Sequence, residues 1–284
     1  MRRERPIRIY ARPSPALYAK QHSGRVRLSF TPLGMGRFNV LYRLFAIGLA
    51  LLFGPAALAA ETHVAVAANF TEPAREIAAL FKTATGDEAV LSFGASGLFF
   101  QQISQGAPFQ VFLSADQKRP RQLEEAGLAA PGGAFTYAIG KLALWSRSQD
   151  VTQGEAVLRA NGFEKLSIAD PSGAPYGTAA VETLKALKVY DAIAPKIVRG
   201  ASIAQAFQFI DTGNAQLGFI ALSQLKTVEA GTRWIVPQVL YTPIRQDAVL
   251  LKSGAEDAVA KAFAAFLKGP QAREVIAKYG YGLE

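Results

Sequence analysis

Cysteine does not occur anywhere in the 284 residues, and histidine occurs only twice. The first absence excludes disulfides, thiolate-ligated zinc, cysteine nucleophiles and lipid attachment through an N-terminal cysteine. The second leaves little for acid–base chemistry. His22 lies in a basic N-terminal stretch and His63 in the first strand-like run, where a lone histidine serves structure more often than catalysis. No Gly-x-Ser-x-Gly, His-Glu-x-x-His or Walker-type loop is present. Ser114 and Asp116 put a hydroxyl and a carboxylate near one strand end, but no histidine stands near to complete a triad. A helix cap ahead of Gln117 is the simpler reading, and no catalytic residue is assigned.

Acidic residues are scarce in one place only. Residues 1–59 hold ten Lys/Arg against one Asp/Glu, whereas residues 60–284 hold 21 of each. The net charge of +9 and the pI near 9.7 therefore belong to a leader, and they give no argument for a nucleic-acid partner. The leader reads as an export signal. Arg37 and Arg43 supply a positive n-region, and Leu44–Leu58 is an apolar run of 15 residues. That is short of the ~20 residues a helix needs to span a bilayer. Ala57-Leu58-Ala59 offers the small-x-small pattern of a signal-peptidase site, so cleavage is expected before Ala60 and the mature chain in the periplasm. Met35 stands where the start for a signal of ordinary length would fall. Residues 1–34, rich in Arg and punctuated by Pro, read as disordered. What remains is long enough to bury a core without covalent staples, and it suits two lobes of roughly 100 residues each.

From Ala60 onward short apolar runs alternate with helical patterns. His63–Ala67, Ala89–Phe93 and Gln110–Ser114 read as strands, and Glu72–Thr83, Gly97–Gln105 and Gln117–Ala126 as helices between and after them. Gly86, Gly106 and Gly127 stand where helix stops belong. The pattern then restarts. Phe135–Trp145 is one long β-rich stretch. Leu166–Ala169, Lys196–Val198 and Leu217–Ala221 read as strands, with helices at Gly177–Leu187 and Ile203–Thr212. Ser202-x-x-Gln205 is a capping-box signature. A strand at Asp247–Leu251 and helices at Glu256–Leu267 and Pro270–Lys278 close the chain. Repeated β-α-β units predict an α/β fold with mostly parallel sheets flanked by helices.

Four strand-to-helix turns are built of small polar residues: Ala67–Thr71, Phe93–Gly97, Asp170–Thr178 and Arg199–Ile203. Each opens a helix, and so presents unpaired backbone N–H groups and the positive end of a helix dipole. Such ends hold anions, and ligands of open α/β sheets sit at the carboxyl ends of strands, where these turns lie. The same residues are also ordinary helix caps. A small anion is one reading that composition and spacing leave open.

The motifs narrow it. Val64–Phe70, Phe93-Gly94-Ala95-Ser96-Gly97, Gln102-Ile103 with Gly106-Ala107-Pro108, Val111–Asp116, Phe135–Leu142, Ala174-Pro175-Tyr176-Gly177, Leu217–Leu222 and Lys268-Gly269-Pro270 occur in this order over about 200 residues. In this the sequence resembles the periplasmic molybdate-binding proteins of ABC importers, within the type II periplasmic-binding-protein family. The resemblance implies a two-lobed clamshell. Lobe one would be 60–138 plus 241–284, lobe two 139–240, with two chain crossovers near Ala138–Gly140 and Pro237–Thr242. It implies molybdate or tungstate as ligand, molybdenum being bound only as the oxyanion, with no cofactor and no enzymatic step. It further implies a membrane permease as partner and a monomer in solution. Carried over residue by residue, Asn69 and Ser96 are the expected contacts from one lobe. Tyr176 and Ile203 are the expected donors of backbone N–H from the other, the Tyr176 hydroxyl being no part of the ligand set. Ala68 is a possible further contact, at a position where the subgroup can carry Thr. Ala221 ends a strand from which some members offer a Tyr hydroxyl, and it offers none. The alternative is another tetrahedral oxyanion, sulfate above all.

Overall fold

A computed structural model describes residues 60–284. The expected export signal, the start at Met35 and the disorder of residues 1–34 lie outside the described residues.

The chain builds two five-stranded sheets, each flanked by helices. The first takes β1 (Glu61–Ala67), β2 (Glu88–Gly94), β3 (Val111–Leu113), β4 (Phe135–Gly140) and β10 (Ile244–Leu250), in the order β2-β1-β3-β10-β4. The second takes β5 (Leu142–Ser146), β6 (Leu166–Ala169), β7 (Ile197–Gly200), β8 (Leu217–Ala221) and β9 (Thr232–Ile235), in the order β7-β6-β8-β5-β9. The β-α-β runs pair parallel: β1 with β2 and β3, and β6 with β7 and β8. One strand in each sheet is reversed. β10 is antiparallel to β3 and β4, and β5 to β8 and β9. The sheets are thus mixed, not simply parallel. Each reversed strand is the one entered when the chain comes from the other sheet, with no crossover helix to turn it round.

The stretch Phe135–Trp145, which reads as one strand, is two. β4 ends at Gly140, Lys141 carries the chain across, and β5 begins at Leu142 in the other sheet. Residues on both sides alternate well enough for one long strand, so periodicity does not show the break. The structure also has elements that sequence reading leaves out: β9 and the short helices Gly154–Ala160 and Tyr190–Ile193.

Packing follows the apolar periodicity. The helix Thr71–Thr85 buries Ala74, Ile77 and Phe81 against the first sheet and stops at Gly86, whose φ of 81° suits the left-handed cap. The helix Pro175–Ala186 begins with Pro175, whose missing N–H costs nothing in a first turn, and buries Tyr176, Ala179, Ala180 and Leu184. The helix Ile203–Asp211 is capped by Ser202, whose Oγ accepts from the Gln205 amide at 3.3 Å. The Gln205 side chain answers on the Ala201 amide at 2.6 Å, one residue before the cap. No helix among the described residues is long and apolar enough to cross a membrane.

Candidate functional site

The turns that leave β1, β2 and β3 in the first sheet meet two turns of the second. Their meeting point is a pocket lined by Ala67, Ala68, Asn69, Gly94, Ala95, Ser96, Ala115, Ala174, Pro175, Tyr176 and Ile203. Asn69, Ser96, Tyr176, Ile203 and Ala68 thus stand on one wall or another of a single pocket, drawn from segments far apart in sequence. Its lining carries no Lys, Arg, His, Asp or Glu. The space is about 10 Å³, close to the room one water needs.

Each wall offers helix beginnings. Ser96 opens the helix Ser96–Ser104, Tyr176 is the second residue of its helix, and Ile203 is the first residue of its own. Ala68 and Asn69 open a single 3₁₀ turn at the end of β1. Amides at these positions have no partner within their own helix. Ser96 is buried, and its hydroxyl oxygen accepts from the Ala115 amide at 2.9 Å, which leaves the hydroxyl proton free to donate.

The side chains of Asn69 and Tyr176 are engaged elsewhere. Asn69 Nδ2 donates to Gln246 Oε1 at 2.8 Å and to the Tyr281 hydroxyl at 3.0 Å. Gln246 Nε2 donates to the Tyr176 hydroxyl at 3.2 Å, and the Tyr137 hydroxyl donates to Gln246 Oε1 at 3.0 Å. The hydroxyls of Ser223 and Tyr281 reach the Asn69 carbonyl at 2.8 and 2.7 Å. All six residues are buried. Burial is the main cause that pushes the phenols of Tyr137, Tyr176 and Tyr281 above the usual tyrosine range, so they stay neutral donors and acceptors. Sequence reading misses Gln246, Tyr281, Tyr137 and Ser223. The available signal is the polar run Arg245-Gln246-Asp247, which precedes the apolar Ala248-Val249-Leu250 of the same strand.

The lobes also touch at the rim. The Gly97 amide donates to the Gly173 carbonyl at 2.9 Å, and Arg119 donates from its guanidinium to the Ser172 carbonyl at 3.1 Å while pairing with Asp116. A Cβ on Gly97 would lie 2.8 Å from the Gly173 Cα, so this approach of backbone to backbone requires glycine. The Asp116 carboxylate accepts the Arg119 amide at 2.9 Å, which makes it the helix cap that its position suggested. Flanking the rim, a groove of about 500 Å³ has Asp116, Lys118, Arg119, Glu182 and Arg245 among its lining. Charges of both signs there give no convergent set for one ion. Among the described residues no cluster of three or more His, Asp or Glu side chains could hold a metal.

Residues 62–282 match the family model described as bacterial extracellular solute-binding protein. The chain belongs to that family. The molybdate-binding protein ModA of Rhodobacter capsulatus is 53% identical over 252 residues, covering 88% of this chain and all of that protein. ModA of Azotobacter vinelandii is 51% identical over 251 residues, 87% of this chain and 99% of the relative. The solved Azotobacter vinelandii periplasmic molybdate-binding protein superposes with a TM-score of 0.75 at 41% identity, covering 78% of this chain and 99% of that one. The fold is that of the two-lobed periplasmic binding proteins.

Proposed function

We propose that this protein captures molybdate, and tungstate as its near-equivalent, in the pocket between its lobes and delivers it from the periplasm to the membrane permease of an ABC importer. The observation that carries this reading is a pocket with helix beginnings on every wall and no ionisable side chain but Tyr176 in its lining. The relatives named for molybdate at 51% and 53% identity support the choice of ion.

The chemistry runs as follows. Molybdate is a doubly charged tetrahedron with no proton of its own. Its burial is costly unless its oxygens all accept hydrogen bonds. Amides of Ala68, Asn69, Ser96, Tyr176 and Ile203 with the Ser96 hydroxyl are the donors in this reading, each bond to the charged partner being worth about 1.5–3 kcal/mol. A site of donors alone rejects hydrogen phosphate, whose O–H would meet no acceptor. Sulfate has the same charge and shape, so cavity size must separate it from molybdate. The present space suits one water, so holding a tetrahedral ion requires the rim at Gly97 and Gly173 to part. That demand fits lobes 60–138 plus 241–284 and 139–240 turning about the two crossovers. The protein acts as a monomer, with no cofactor and no catalytic step.

The test is a panel of oxyanions read by thermal shift and calorimetry. Molybdate and tungstate should raise the melting temperature and bind with sub-micromolar affinity, sulfate should bind far more weakly, and phosphate should have no effect. Sulfate binding as tight as molybdate would overturn the choice of ion.

A further inference from the structure

Asn69 and Tyr176 line the pocket from opposite lobes, and both also reach past it into the buried network. Asn69 Nδ2 donates to Gln246 Oε1 (2.8 Å), and Gln246 Nε2 donates to the Tyr176 hydroxyl (3.2 Å). One side chain thus joins the two residues behind the pocket. Gln246 is fully buried on β10, the strand entered just after the chain returns to the first sheet. The other crossover packs against the same link. A Cβ on Gly140 would run into the Tyr176 hydroxyl and lie 2.7 Å from Gln246 Nε2. Glycine at the end of β4 is what leaves room for it.

We infer that Gln246 is a positioning residue for the ligand: it brackets the Asn69 turn to the Tyr176 turn across the lobes, beside the hinge, so that both present their amides to one ion. This rests on the oxyanion reading above. The position of the bracket explains why it can act while the rim moves. Both crossovers, at Lys141 and between β9 and β10, adjoin it, and displacements are smallest near a hinge. The rim contacts of Gly97 and Arg119 are made by other segments and can open without breaking it. The bracket has partners at both of its polar atoms. Gln246 Oε1 has two donors, Asn69 and Tyr137, and its Nε2 has Tyr176 as acceptor. A buried network of this kind favours one arrangement, because turning the amide over would set its NH2 against the donors Asn69 and Tyr137.

The experiment is a double-mutant cycle on protein expressed from the whole 284-residue sequence, with Gln246→Met, Tyr176→Phe and the double variant. Dissociation constants for molybdate are measured by calorimetry and release rates by stopped flow. Wild-type protein is titrated first. If it binds no molybdate, the oxyanion reading fails before the bracket is tested. Given wild-type binding, Gln246→Met should raise the dissociation constant about tenfold, the worth of one or two net hydrogen bonds, mainly through faster release. Tyr176→Phe should raise it about fivefold. The double variant should bind no worse than Gln246→Met alone, since both cut the same link. A residue that only supports the fold would lower the melting temperature and leave binding untouched. A Gln246→Met constant within twofold of wild type, or losses that simply add, would overturn the inference. If Gln246→Met fails to fold, Tyr176→Phe decides alone, and unchanged binding by it overturns the bracket.

Discussion

The two walls of the pocket are made differently. The wall from the first sheet has a side-chain donor, the Ser96 hydroxyl, next to amides at Ala68 and Asn69. The wall from the second sheet has only main-chain donors, because the Tyr176 hydroxyl is turned to Gln246 and Ile203 has none to offer. One wall can therefore be weakened by removing a side-chain atom. The other loses a donor only through a change to the backbone, and its side chains act on the ion indirectly, as the Tyr176 hydroxyl does through Gln246. A helix beginning can be an anion site without any polar side chain marking it.

The largest effect should come from the first wall. Ser96→Ala is expected to cost about 1.5–3 kcal/mol of molybdate binding, the usual worth of a hydrogen bond to a charge. It also strips the Ala115 amide of its acceptor, so the ligand-free protein should lose about 1 kcal/mol of stability in urea unfolding. Ser172→Ala, in the rim loop, is the control and should leave calorimetric affinity unchanged. Equal losses in both would erase the distinction between pocket and rim.

On the second wall, Ile203→Pro removes an amide, together with part of a side chain that is buried in the core. Proline is accepted at a first helical position, and the preceding Ser202 already has the extended backbone a following proline requires, with φ −144° and ψ 169°. Binding should fall by about 1.5 kcal/mol or more, with circular dichroism unchanged. A folded variant with full affinity would mean that this wall does not donate through its backbone.

The smallest effect sharpens the contrast by adding a side-chain donor to the first wall. Ala68→Thr places a hydroxyl at a lining position and should tighten molybdate by about 0.5–1.5 kcal/mol in calorimetry. Weaker binding would show instead that the space at Ala68 is needed for the ion.

The same difference governs what sequence could reveal. The helix beginnings were legible, because Ser96 follows Gly94-Ala95 after a strand and Ser202 carries its Gln205 partner three residues on. Resemblance then chose among turns that local chemistry leaves equivalent. The mixed sheets were not legible, since strand direction depends on where the chain has come from. Nor was the break at Lys141, where apolar residues continue on both sides. Gln246 is the clearest omission. Its function arises from Asn69, 177 positions away, and Tyr176, 70 positions away, which no local pattern connects. Tyr176 itself was read as an amide donor only, and its hydroxyl holds a second position in the buried network.

The two reversed strands have a consequence for how the molecule comes into being. The second sheet is drawn from one continuous stretch, residues 142–235, and can be completed as soon as that stretch is available. The first sheet has β10 between β3 and β4, and β10 begins at residue 244. A chain emerging from its N-terminus can pair β1 with β2 and β3, but β4 has no neighbour until nearly all the remaining sequence has arrived. Closing that gap brings together residues more than 100 positions apart, a slow event for a folding chain. The lobe encoded first is thus the last to be finished, since it waits for the strand that carries Gln246 and for the two helices that follow it.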